Sequence, residues 1–201
     1  MKERGIIFNA EMVRAILDGR KTQTRRVMNN QPCTLSGETI SVQQDDFNFR
    51  WAGDLHNDTS GWFHCPLGKI GERLWVRETW RKFDFSDECG CSEYPCGCPE
   101  NGAIIYRATQ DGGESKWRPS IHMPRRYSRI TLEITDVRVE RLNDISNDDA
   151  KSEGCWYGRG GGVPDKALTP SDQFPTLWEE IYGDGSWSSN PWVWVIEFKR
   201  I

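Results

Sequence analysis

Eight consecutive residues, Gly19-Arg20-Lys21-Thr22-Gln23-Thr24-Arg25-Arg26, place an amine, two hydroxyls and three guanidinium groups in one short stretch. Two chemistries follow from that set. The cations can hold an anion, as a nucleic-acid binder requires. The amine can also sit beside a hydroxyl, as a hydrolase requires. Thr24 is too weak a nucleophile to attack an amide unaided. Lys21, three residues earlier, can take its proton if desolvation and the neighbouring arginines lower the lysine pKa. Arg26 or a backbone N–H would then stabilise the oxyanion. The plain alternative is a solvated basic turn.

A second cluster is Cys89-Gly90-Cys91-Ser92-Glu93-Tyr94-Pro95-Cys96-Gly97-Cys98, which holds four of the seven cysteines. In a reducing compartment this density points away from disulfides. Four thiolates within ten residues can close a tetrahedral zinc site, with Gly90 and Gly97 easing the backbone around it. The C-x-C spacing is tighter than the common C-x-x-C. We expect a structural zinc at Cys89, Cys91, Cys96 and Cys98; the alternative is a loop of free thiols. A closed four-sulfur site leaves no open position for catalysis, and nothing in the chain calls for an organic cofactor.

These residues need a scaffold. Asn9 is a good N-cap, Glu11 suits the first turn, and Met12, Val13, Ile16 and Leu17 form one apolar stripe, so the pattern predicts a helix over 10–18 that stops at Gly19. Ile6–Phe8 precedes it as a strand. Leu74–Trp80, Ala103–Ala108, the alternating Ile130, Leu132 and Ile134 with Val137 and Val139 after a break, and 192–199 read as further strands. Ser146 caps a short acidic helix that ends at Gly154, and Phe174–Tyr182 reads as another helix. Residues 28–65 read as an insertion with a hairpin at Thr39–Val42 and Phe47–Trp51, and 158–173 read as a loop. Strands with scattered helices imply an α+β fold. The expected organisation is one domain over 1–201 with insertions at about 28–65, 84–101 and 158–173.

Glu78 stands between apolar neighbours on a predicted strand, a costly place unless it is paired. It either meets an arginine or accepts from a ligand amino group. The net charge of −4 excludes a globally basic coat for nucleic acid. The charge is uneven, however. Residues 1–27 carry seven basic against three acidic side chains, and 117–129 add Arg118, Arg125, Arg126 and Arg129 with no acid. That asymmetry suggests a localised anion site. No run of about twenty apolar residues exists, and the N-terminus lacks a secretory core. A cytoplasmic protein with no membrane partner is the expectation.

Gly19, Lys21 and Arg26 match the G-x-K-x-x-x-x-R signature of the ASCH family of the PUA-like superfamily. Leu74–Trp80, Trp117–Pro124 and Trp192–Phe198 resemble the central, second and closing motifs of its larger, often phage-borne members. The resemblance spans about 4–28, 66–80, 103–156 and 174–201. It implies a small PUA-like β-barrel flanked by short helices, with the Cys-rich loop as a local elaboration. It is also similar, at the signature turn, to enzymes that hydrolyse N4-acetylcytidine. Their catalytic set maps onto Lys21 and Thr24, with the glutamate falling on Glu153 at the end of the short acidic helix. The resemblance further implies a substrate pocket from Arg26, Trp75, Arg77, Glu78, Arg118, Ser120, His122 and Met123, holding a modified pyrimidine nucleoside or nucleotide. The rival implications are a non-catalytic binder of RNA or single-stranded DNA through Arg20, Lys21, Arg25, Arg26, Arg118, Arg125 and Arg126, and a metal-independent ribonuclease.

Overall fold

The computed structural model describes residues 2–32, 40–53, 61–91, 96–110, 116–155 and 169–201. Strand β1 (Glu3–Ile7), helix α1 (Ala10–Leu17) and strand β2 (Gln23–Val27) open the chain. A hairpin of β3 (Ser41–Asp45) and β4 (Asn48–Ala52) follows, then β5 (Arg73–Arg77). Strands β6 (Trp80–Lys82) and β7 (Ile104–Tyr106) pair as a small separate ladder, with helix α2 (Phe85–Glu88) between them in sequence. The long β8 (Thr131–Arg141), helices α3 (Asn147–Ser152) and α4 (Pro170–Tyr182), and β9 (Trp192–Arg200) complete a mixed α+β architecture.

The main sheet runs β1-β5-β8-β9-β2. Its β1–β5 pair is parallel and the others are antiparallel. Strand β9 explains why the helices sit where they do. Val193, Trp194, Val195 and Ile196 are all buried, so this strand is covered on both faces. Alternation sends Trp194, Ile196 and Phe198 into the main core with α1 residues Val13 and Ile16. It sends Val193 and Val195 into a second core with Ala150 and Cys155 and with Phe174 and Trp178 of α4. Edge strand β2 therefore lies between two helical layers.

Several expectations change in detail. The break seen after Ile134 is a register shift between Ile134 and Asp136, which returns Val137 to the buried face. The expected strand Leu74–Trp80 is split into β5 and β6. The expected strand at 103–108 contracts to β7. The hairpin forms, with Thr39 outside the described residues. Helix α4 begins four residues earlier than periodicity suggests, because Thr169 and Asp172 form a capping box and Pro170 occupies the first turn. Residues 170–173 of the expected 158–173 loop are thus helical, and 158–168 lie outside the described residues. So do 33–39 and 54–60 of the 28–65 insertion and 92–95 of the 84–101 insertion.

The expected small barrel is corrected as well: among the described residues the sheet does not close. Its edges are β1 and β2, and no ladder joins them. Closure needs the two edge backbones in register. Here α1 fills the connection, and a side chain makes the contact instead: Arg26 Nη2 donates to the Ile7 carbonyl at 2.7 Å. No helix among the described residues is long and apolar enough to cross a membrane.

Candidate active site

The turn after α1 is held from three sides. Asn9 Oδ1 accepts from the Met12 N–H at 2.8 Å and starts the helix. Gly19 adopts φ 73°, a conformation that favours glycine, and ends it. Arg20 and Lys21 then both donate their backbone N–H to the Ala15 carbonyl, at 2.8 and 3.0 Å, which folds the chain back. Thr22 donates to the Ser152 carbonyl of α3 and accepts from the Phe198 N–H of β9, both at 2.8 Å. The turn is thereby stitched to α3, which is started by a Ser146–Asp149 capping box and ended by Glu153 as its C-cap. Gly154 follows with φ 99°, and a Cβ there would stand 3.3 Å from Ala15 Cβ and 3.6 Å from Lys21 Cβ. That closeness lets the end of α3 settle onto Lys21. Gly154→Ala is expected to lower the melting temperature by roughly 2–8 °C, from a left-handed penalty of about 1–2 kcal/mol. Thermal unfolding followed by circular dichroism checks it.

Lys21 and Glu153 meet there, although far apart in sequence. Lys21 Nζ donates to Glu153 Oε2 at 2.7 Å, to the Glu153 carbonyl at 2.9 Å and to the Gln23 carbonyl at 2.8 Å. All three ammonium protons are used, and the Lys21 side chain is fully buried. Burial pulls the Lys21 ammonium below the ordinary lysine range, against the opposing attraction of Glu153. Arg25, with a side chain wholly out of solvent, lies 3.5 Å from Glu153 Oε1, 3.0 Å from Glu140 and 3.5 Å from Asp149. Arg138 continues the network to Asp149 at 3.0 Å and Gln23 at 3.2 Å, with Glu140 and Glu197 beside it. Fixed charges thus surround one buried carboxylate, Glu153, and the sequence reading missed this wider support; only the run of charges along β8 hinted at it.

A cavity of about 190 Å³ opens at this point, at the edge strand β2. Thr24 and Glu153 line it together with Arg25 and Arg26, and Asn9 and Met12 border it on the α1 side. The opposite wall is α4, through Phe174, Trp178, Ile181 and Tyr182. The apolar face of α4 was legible as periodicity, but it reads as core; in the structure the same face also walls the cavity. Thr24 is buried, and its hydroxyl makes no hydrogen bond to the described residues. No hydrogen bond joins Lys21 and Thr24. Lys21 stands behind Glu153, which is the member of the pair that faces the cavity.

The other expected pocket residues are elsewhere. Glu78 is buried and held by both oxygens to Arg129, at 2.9 Å each, so its lone pairs go to an arginine and not to a ligand. The Met123 sulfur accepts from the Glu78 N–H and is buried. Arg118 is bridged to Trp80 across β6, Ser120 and His122 lie on a 3-10 turn, and Trp75 sits under Arg77 at 5.3 Å. Arg77 pairs in register with Ile7, which lines the cavity, and donates to the Ile121 carbonyl. Arg26 is the one residue of the implied substrate set that lines the cavity itself.

A larger cavity of about 300 Å³ lies between the β3–β4 hairpin and residues 64–72. Its cysteine, Cys65, is buried and its thiol is pushed up by that burial. It lacks the buried amine–carboxylate pair that borders the smaller cavity. Cys89, Cys91, Cys96 and Cys98 form a separate group whose sulfurs all lie within 4.8 Å of one another. No family model, curated protein or solved structure matches this chain.

Proposed function

We propose that the cavity at β2 hydrolyses an N4-acylated cytosine nucleoside or nucleotide, in a divergent PUA-like scaffold of the ASCH type. The observation that supports this most is the buried Lys21–Glu153 pair at a cavity whose floor carries the free hydroxyl of Thr24. The larger cavity beside the β3–β4 hairpin carries no such buried pair.

The chemistry runs through these three side chains. Lys21 Nζ holds Glu153 Oε2 at 2.7 Å and keeps the carboxylate at the cavity. Glu153, the member of the pair that faces the cavity, accepts the Thr24 proton as Thr24 Oγ attacks the acyl carbon, and Lys21 acts through it by holding the carboxylate in place. Arg26 stabilises the oxyanion. Glu153 gives its proton to the departing N4 amine, and an acyl ester on Thr24 remains. Water, losing its proton to Glu153, hydrolyses that ester; the carboxylic acid leaves and Thr24 recovers its proton from Glu153. The test is a panel of N4-acylated and unmodified nucleosides followed for carboxylate release. Release from the acylated members alone is expected, and no release from any of them would contradict the reading.

The strand-binding reading is favoured by one observation. Trp75 lies beneath two guanidinium groups, Arg77 at 5.3 Å and Arg125 at 6.0 Å, outside the cavity. A strand binder neutralising several phosphates loses affinity steeply as salt rises, and a nucleoside hydrolase does not.

The cysteine group fits a structural zinc. Tetrahedral Zn–S bonds of about 2.3 Å place sulfurs about 3.8 Å apart, close to the 3.4 Å of Cys89–Cys96 and the 3.3 Å of Cys91–Cys98. The Cys96 thiol is lowered to about 7, chiefly by the Cys98 backbone N–H, while Cys98 is raised by its sulfur neighbours, Cys96 first, and Cys91 is raised as well. About one zinc per chain is expected by elemental analysis of protein purified without chelator. Absence of metal with four freely titratable thiols would refute it.

A further inference from the structure

The cavity at β2 is rich in hydrogen-bond donors and poor in acceptors. Arg25 Nε, Arg26 Nε and Trp178 Nε1 are buried and have no hydrogen-bond partner, and all three residues line it. Asn9 commits its side-chain oxygen to the helix cap, so its amide NH2 is what remains for a ligand. Thr24 adds a hydroxyl. On the acceptor side, Glu153 Oε1 already faces Arg25 at 3.5 Å. A buried indole N–H normally finds a partner, and leaving one unmade is costly. Trp80 and Trp192 carry the same lack elsewhere, so what distinguishes this place is convergence: three such donors border one small space, where a ligand would supply the acceptors.

The shape of the wall narrows the ligand further. Trp178 is 2% exposed and stacks on Tyr182 with ring centroids 4.2 Å apart and planes 28° from parallel. Phe174 adds a third ring 5.9 Å from Trp178. A flat face with an N–H on its edge suits a planar, conjugated ring that bears carbonyl oxygens. Arg25 and Arg26 against Glu153 also leave the lining with one more cation than anion, which favours an electron-rich ligand.

We infer that Trp178 is a specificity-determining residue of this cavity, donating its indole N–H to a ring carbonyl of a planar pyrimidine-type ligand. This rests on the hydrolase reading for the identity of the site, but it concerns binding and holds whether or not the ligand is cleaved. A carboxylate could satisfy the same donors, and the experiment separates the two sources.

The test uses the full chain carrying Thr24→Ala, so that no turnover intrudes, and titrates three probes by calorimetry: cytidine, its neutral analogue 2-thiocytidine, whose sulfur is a poorer acceptor than the 2-carbonyl oxygen, and acetate. Cytidine is expected to bind, and Trp178→Phe to weaken it about five- to tenfold, the worth of one neutral hydrogen bond. The analogue is expected to bind weakly and equally to both proteins. Equal losses for cytidine and the analogue, no loss at all, or binding of acetate alone would overturn the inference. If Trp178→Phe does not fold, the indole N–H resonances of nitrogen-15-labelled protein replace it. One indole proton should move downfield with cytidine and not with the analogue; no such shift overturns the inference. Carboxylate release is scored separately, so coupled binding without release would sink the hydrolase reading and leave the inference standing.

Discussion

Glu153→Ala is expected to cost about 3–5 kcal/mol of stability, because it strands the buried Lys21 ammonium without its counter-charge. For a chain of this size that is a fall of roughly 10 °C in melting temperature. Lys21→Met should cost less, since Arg25 remains 3.5 Å from Glu153 to share the abandoned carboxylate. The double change Lys21→Met with Glu153→Leu removes both charges and should recover most of the loss. Arg25 still keeps Glu140 at 3.0 Å in that protein. Thermal unfolding of the three proteins checks the order, and the double variant should be folded yet inert. The sign of the pH dependence follows from Lys21. Its folded pKa is depressed, so the unfolded chain holds the proton more tightly. The Lys21 contribution to stability therefore rises with pH between its folded value and the ordinary 10.5.

Thr24→Ala is expected to reduce turnover on the order of 10³-fold or more while leaving nucleoside affinity nearly unchanged, because the hydroxyl acts in the transition state. Thr24→Ser keeps the nucleophile and should keep most of the rate. Lys21→Arg should lose most of the rate, since a guanidinium does not fit the fully buried slot in which the ammonium holds Glu153. In the wild type, turnover should fall as pH rises through the depressed Lys21 pKa, because the ammonium that holds Glu153 is lost. Steady-state rates across pH for the four proteins check these outcomes.

How far the residues alone could foretell this site depends on the range of the interaction. Asn9, Gly19, Ser146 and Gly154 act on chain neighbours through caps and turns, so the helices before and after the site were legible. Glu153 belongs to such a local motif, but its meeting with Lys21 depends on α3 folding back over the turn. Periodicity carries no record of that, and only the family resemblance suggested it. Glu78 was readable as an acid needing a partner, while the choice of Arg129 required the approach of 129 to β5. Trp178 shows the limit most clearly. An apolar helix face has the same spacing whether it fills a core or walls a cavity, and a missing hydrogen bond at Nε1 is invisible until neighbours are placed. The barrel expectation went astray at a comparable point, because strand count does not say whether the two edges meet.

The central claim, that Thr24 attacks an acyl group within this cavity, is tested most directly by acetate release from N4-acetylcytidine. Wild type and Thr24→Ala are compared at matched concentration, with both shown to be folded. The predicted result is steady, enzyme-proportional release of acetate and cytidine by the wild type, with Thr24→Ala at the uncatalysed background. Equal rates for the two proteins, whether both at background or both above it, would contradict the account.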